Sequence, residues 1–436
     1  MWSLAHAVVA TSWQSLMSQR GPRDECDGVQ LVLTAALGQT YAFLSQNHKL
    51  RMTSQIFHGL GFYWSRHCGI YEAGNSSYHL PALDEDLNSK TEAWRKWAAN
   101  ETRLRGILGH YILDGQIAGF TGNATCVRHA ANPLPLPAST AAFNATSPDA
   151  WILEMQSQAI NITFREFITA LFHVDHTIIT QQISDFSIRV VLECLQSLIL
   201  EQSEARGTSI GTPSKSEVVS AALQLYHWQI CRSADVAEMA LRWHSVLLSM
   251  TYDMVSFSRQ LSSHCEIQQV IFPPQHCAVG MDHCPVRGWT GNIDARRALL
   301  HAFAIRDIIQ GLPFDRSHAI HIPSTILAAA VVHAAHLMNS IQSVSMPEVI
   351  DWDVVWDHDD DNGALNTTNQ INVSRQETAA FLRGDFTPRN PRAGSRKMSS
   401  ELHALRMQLK AMATQWGVSQ EIEKLLEQWH NLLRRE

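Results

Sequence analysis

The chain has 436 residues, of which 45% are hydrophobic and 17% charged. Those proportions allow a large buried core and exclude wholesale disorder. A formal net charge of -7 excludes nucleic-acid binding through global electrostatics, so any contact with phosphate has to come from a local cluster of Lys and Arg.

Residues 1–28 read as an N-terminal leader. The stretch Met1 to Trp13 is partly apolar, but it lacks a basic start and carries His6 in its middle, so it is a poor export signal. The Asn-x-Ser/Thr triplets at Asn75, Asn100, Asn123, Asn144, Asn161, Asn366 and Asn372 are therefore not expected to be glycosylated. The eight cysteines are scattered, and most sit in apolar helical patterns. They are expected to be reduced and buried in an intracellular protein.

Helical periodicity runs through the chain. From Ala42 to Tyr71 it reads AFLSQNHKLRMTSQIFHGLGFYWSRHCGIY, and from Trp94 to Asp114 WRKWAANETRLRGILGHYILD. In the second block Leu104, Ile107, Leu108, Tyr111 and Ile112 make one apolar stripe at helical spacing. Trp94 and Trp97 fall on neighbouring turns of one face, and Glu101 precedes Arg105 by four residues, the spacing of a charge pair along a ridge. Prolines 133, 135, 137 and 148 forbid a regular helix over 132–148. Capping boxes at Thr163 with Glu166 and Ser214 with Glu217 mark two further helix starts. Ile267 to Phe272 is the best strand candidate, ended at once by Pro273 and Pro274. Ile326 to Met338 is the longest apolar run and is too short to span a bilayer. The expected fold is all-α, a multi-helix domain with long irregular loops and C-terminal helices.

Residues 346–397 combine an acidic run with a basic stretch and read as a flexible linker. Beyond it, 398–436 carries two amphipathic helices broken near Gly417, candidate packing or pairing elements. Three His-Cys dipeptides, at 264–265, 276–277 and 283–284, match no zinc spacing. The run Asp357 to Gly363 imitates a calcium loop but has Asn362 where glycine is needed and Thr368 where a bidentate Glu is needed. Arg383, Arg389, Arg392, Arg396 and Lys397 form a basic cluster suited to nuclear import or phosphate contact.

The two blocks resemble the fungal-specific transcription factor domain. Phe57, His58, Gly59, Trp64, Arg66 and Gly69 match its first helix pair, and Trp94, Trp97, Glu101, Arg103, Arg105 and Asp114 its Trp-rich helix. FNATSPDAW, ending at Trp151, LRWH with Arg242, Trp243 and His244, and Ala295 to Pro323 extend the likeness. They resemble the subgroup in which classical zinc fingers precede the domain, and 29–345 is assigned to it. One departure is that Leu104 separates arginines that are commonly adjacent. All sixteen residues are expected to be structural, with no catalytic, cofactor-binding or metal-binding residue among them.

The resemblance implies the regulatory part of a nuclear RNA polymerase II transcription regulator, not an enzyme. It implies DNA contact only through a missing or partner zinc module, homo- or heterodimerisation, a small-molecule effector and no membrane. Cys-x-x-Cys pairs are absent, so zinc is expected only in that upstream module and no cofactor in this chain. Two alternatives stand beside this reading. One is an all-α metal-dependent enzyme of terpene synthase type using the run near Asp359. The other is a stand-alone interaction protein that pairs with full-length regulators.

Overall fold

The computed structural model describes residues 25–71, 79–157, 162–204, 211–268, 271–272, 285–313, 319–357, 369–388, 395–412 and 416–433. Helices dominate it, as the periodicity predicts, and the strands among the described residues form one three-residue antiparallel pair. The packing divides into two units, one of Met1–Gly119 with Asn123–Ala240, the other of Phe120–Gly122 with Leu241–Glu436.

In the first unit, α1 (Glu25–Phe43) packs on α2 (His48–Ile56) and α3 (Leu60–His67). Asn47 starts α2 by accepting from the backbone N–H groups of Lys49 and Leu50, satisfying donors that a helix start leaves free. The long helix α4 (Leu87–Thr121) follows, its last two residues belonging to the second unit. The predicted stripe lies inward along it, with Ile107, Leu108 and Tyr111 buried and Leu104 and Ile112 half-buried at its rim. The proline-rich stretch 132–148 is irregular except for α5 (Thr140–Phe143), a single turn capped by Ser139. α6 (Pro148–Ser157) then brings Trp151 against Trp97, with ring centroids 5.5 Å apart.

Both predicted capping boxes are formed. Thr163 starts α7 (Phe164–His173), and α8 (His176–Ile179) and α9 (Asp185–Glu204) follow it. Ser214 starts α10 (Lys215–Trp228), which packs on α7 and α9. In each box the side chain and backbone of two residues satisfy each other reciprocally, which fixes where the helix begins.

The second unit takes most of α11 (Val236–Leu248), then α12 (Met254–His264), α13 (Pro285–Trp289), α14 (Ile293–Gly311) and α15 (Ile322–Met338). All but two of the α15 residues are buried, because α12, α14 and the last two helices of the chain surround it. An apolar surface all round identifies such a core helix. Among the described residues no helix is long and apolar enough to cross a membrane. The strand expected over Ile267 to Phe272 is not formed in its described residues. Strand pairing occurs instead between β1 (Ser343–Ser345) and β2 (Ser395–Lys397).

The segment read as a linker, 346–397, contains α16 (Trp352–Trp356) and α17 (Asn369–Arg383). Composition concealed their anchors: the Arg297 Nε donates to the Val355 carbonyl at 2.7 Å and the Arg296 Nε to the Leu382 carbonyl at 2.6 Å, both from α14. α18 (Met398–Met412) and α19 (Gly417–Leu433) pack on each other and on α15. Leu402, Leu405, Leu409, Ile422, Leu426 and Trp429, the stripe that made them candidate pairing helices, are buried within this unit.

Candidate site around Asp114

The signature residues fall into three groups. Trp97 and Trp151 form one cluster, with Trp94 partly buried beside them. One turn along α4 the Glu101 carboxylate takes a 2.8 Å bond from the Arg105 Nε and a 3.0 Å bond from the Ala138 N–H, while the Arg105 Nη2 donates to the Ala138 carbonyl. This clamp ties the proline-rich stretch to α4. Burial pushes the Glu101 carboxyl up, opposed by Arg105 and the Ala138 N–H. Arg103 is half-buried, and Phe57 is exposed on the turn before α3.

The second group lies in the other unit. Trp243 is fully buried. His244 and His301 face each other with Nδ1 atoms 2.9 Å apart, and the Trp356 Nε1 donates to the His301 Nε2 at 3.1 Å. The indole has no acceptor, so His301 carries its proton on Nδ1 and gives it to the bare Nδ1 of His244. Both rings are neutral. Burial holds His244 down to about 3 and His301 well below the ordinary imidazole range, with His244 and Arg297 adding to the effect on His301. Arg242 donates to the Ser245 hydroxyl at 3.3 Å.

The third group carries chemistry. α4 places Asp114 in the interior of the first unit with its side chain fully covered. The turn between α2 and α3 brings His58 to it, the Nδ1 standing 2.8 Å from the Asp114 Oδ1 as an ion pair. The loop after α4 returns to the same carboxylate: the Cys126 backbone N–H donates to Oδ1 at 3.0 Å and Oδ2 at 3.1 Å, and the His129 Nε2 lies 3.1 Å from Oδ2. Thr125 fixes this loop through the Val127 carbonyl and, 2.9 Å away, the Ser197 hydroxyl on α9. A ring nitrogen of His58, a carboxylate oxygen of Asp114 and the Cys126 Sγ lie within 4.8 Å of one another.

The electrostatics follow from that crowding. Burial alone would raise the Asp114 carboxyl, but His129, His58 and the Cys126 N–H together hold it down at about 2. Burial would lower His58, yet Asp114 and Cys126 outweigh it and push the imidazole up to about 9. Beside the group is a cleft of about 730 Å³ lined by Arg66, Gly69, Tyr71, Tyr111, Cys126 and Arg128, among others. The two tyrosine hydroxyls are 3.3 Å apart, and the Arg66 guanidinium lies 5.3 Å from the centre of the Tyr71 ring. Gly69 has a φ of 65° and turns the chain out of α3 where a side chain would be strained. The cleft therefore has arginines, tyrosines and Cys126 in its wall, and Asp114, buried, is held by the Cys126 N–H.

Sequence reasoning had His58 and Asp114 as structural residues and missed Cys126 and His129. The signal available was the spacing Cys126-Val-Arg-His129, two metal-competent side chains on one short loop. Reading the cysteines as buried hid it. Of the described thiols Cys194 is buried, whereas Cys126 and Cys231 are exposed and Cys68 and Cys265 intermediate; Cys126 sits on a loop and Cys231 on a single 3-10 turn after α10. His276, Cys277, His283 and Cys284, the acidic run from His358 to Gly363, and Arg389 and Arg392 lie outside the described residues. Arg396 of the basic cluster is half-buried, paired with Asp307 and set 4.9 Å from the Phe303 ring centre.

Compared with family models, with curated proteins and with solved structures, the chain matches none.

Proposed function

We propose that this chain is the regulatory region of a fungal RNA polymerase II transcription regulator, acting in the nucleus on a DNA-binding module carried elsewhere and performing no catalysis. What carries the reading is the use made of the blocks that resemble that family. Trp64, Trp97, Trp151 and Trp243 are interior residues, and the Glu101–Arg105 pair clamps the chain to α4. The likeness thus falls mostly on scaffolding, where a regulatory domain has to be built alike, with His58 and Asp114 the exceptions.

The cleft beside Tyr71 and Tyr111 supports control by a small molecule. Its arginines and phenolic hydroxyls suit an effector that carries an acidic group and an apolar body. Binding there shifts the domain between arrangements only to the extent that the effector prefers one of them.

The test is a fusion of the full chain to a heterologous DNA-binding domain in a fungal reporter strain, with a fluorescent tag for localisation. The expected result is nuclear accumulation and a several-fold change in reporter output relative to the DNA-binding domain alone. Unchanged output from a chain that stays outside the nucleus overturns the proposal.

A further inference from the structure

Three separated pieces of chain converge on Asp114, and their side chains are chemically mixed: an imidazole nitrogen, a carboxylate oxygen and a thiol sulfur. We propose that His58, Asp114 and Cys126 bind a divalent cation, zinc, with His129 holding the outer oxygen of the carboxylate.

Geometry carries the assignment. Zinc bonds of about 2.0 Å to nitrogen and oxygen and about 2.3 Å to sulfur place tetrahedral ligand atoms roughly 3.3–3.8 Å apart. The three atoms here lie within 4.8 Å of one another. The closest approach, 2.8 Å between the His58 Nδ1 and the Asp114 Oδ1, needs to open by roughly half an ångström to reach that edge. The His58 ring, the Asp114 carboxylate and the Cys126 thiol thus border one small space. Gly59 keeps this space clear, since a Cβ there would lie 3.2 Å from the Cys126 Sγ.

The donor set selects the ion. Calcium and magnesium take oxygen ligands, whereas nitrogen and sulfur together favour zinc among the available divalent metals. His129, 3.1 Å from Oδ2, supplies the outer contact that orients a ligating carboxylate. Three protein ligands leave a fourth position, and Cys126 is both a ligand and part of the cleft wall, so the site borders the cleft. The site depends on none of the regulatory reading and stands or falls by metal binding alone.

The experiment strips the purified full chain with a chelator and titrates it with zinc and with cobalt. Cys126→Ser, His129→Gln and the control Cys231→Ser, another exposed thiol, are run alongside, with circular dichroism to verify folding. Wild type is expected to take up one ion per chain and to show a thiolate-to-cobalt charge-transfer band. Cys126→Ser loses that band, His129→Gln binds about 10–100-fold more weakly, and Cys231→Ser behaves as wild type. Failure of the folded wild type to take up either ion overturns the proposal. So does full uptake with an unaltered cobalt spectrum in Cys126→Ser, the outcome if the ion sits elsewhere, such as the His-Cys segment 264–284.

Discussion

Replacing His333 by leucine is expected to stabilise the protein, by an amount that grows as the pH falls. His333 lies fully buried on α15, 5.1 Å from the Phe303 ring centre, and neither ring nitrogen has a hydrogen-bond partner among the described residues. A buried polar group without a partner costs about 1–3 kcal/mol, and leucine fills a similar volume without one. Some loss from imperfect repacking, under about 1.5 kcal/mol, comes off that gain. At neutral pH the variant is therefore expected to be more stable by about 1–2 kcal/mol.

Acid enlarges the difference. Burial holds His333 down to about 3, with His336, Arg396 and Arg306 acting in the same direction. The unfolded chain takes up a proton near the ordinary imidazole value of 6.5, so between that pH and 3 the unfolded state binds more protons and stability falls as pH falls. At pH 5 the loss from this one histidine is about 2 kcal/mol, at about 1.4 kcal/mol per pH unit, and it does not depend on how far below 5 the folded value lies. Leucine has nothing to protonate. Its advantage is expected to widen to about 3–4 kcal/mol at pH 5. Urea unfolding at pH 7 and pH 5, followed by tryptophan fluorescence, measures both numbers. A variant that is less stable at both pH values, or an advantage that stays constant between them, refutes the reasoning.

Three further substitutions test the first unit. Gly61→Ala places a methyl 2.1 Å from the Cε1 of His110, a buried ring whose Nε2 lies 2.9 Å from the Val32 carbonyl oxygen; α3 has to back away from α4, at a cost of about 3 kcal/mol. His110→Ala removes the obstacle, so the double variant should lose measurably less than the sum of the singles in chemical denaturation. Glu101→Gln leaves Arg105 without its carboxylate in a site with little water, an expected loss of about 3 kcal/mol. Protease digestion should then cut first in 132–148, the stretch that the clamp holds; wild-type resistance there would show that the clamp does not hold that stretch.

The helices and their starts were legible because their causes are local. A capping box occupies four residues, and both predicted boxes formed; the stripe from Leu104 to Ile112 needs only the 3.6-residue period to declare its face. Non-local causes were invisible. The 346–397 segment looks like a linker because its charge and polarity are high, but α16 and α17 are fixed by arginines of α14 donating to their carbonyls. Those donors lie far away in sequence, and nothing in a helix's own composition states that its carbonyls will be claimed.

Asp114 shows the same limit at the level of chemistry. It falls seven residues after Ile107 on the inward face of α4, where the structure buries it, and a buried carboxylate without partners is expensive. The cost alone requires cations or donors to converge on it, yet it does not say which. His58 comes from a turn whose position depends on α2 and α3 packing against α1, and Cys126 and His129 from a loop pinned to α9 through Thr125. Each step is a tertiary contact. The sequence thus compels a polar cluster at Asp114, while the fold decides that its members are an imidazole and a thiol, the combination that turns a structural carboxylate into a candidate metal ligand.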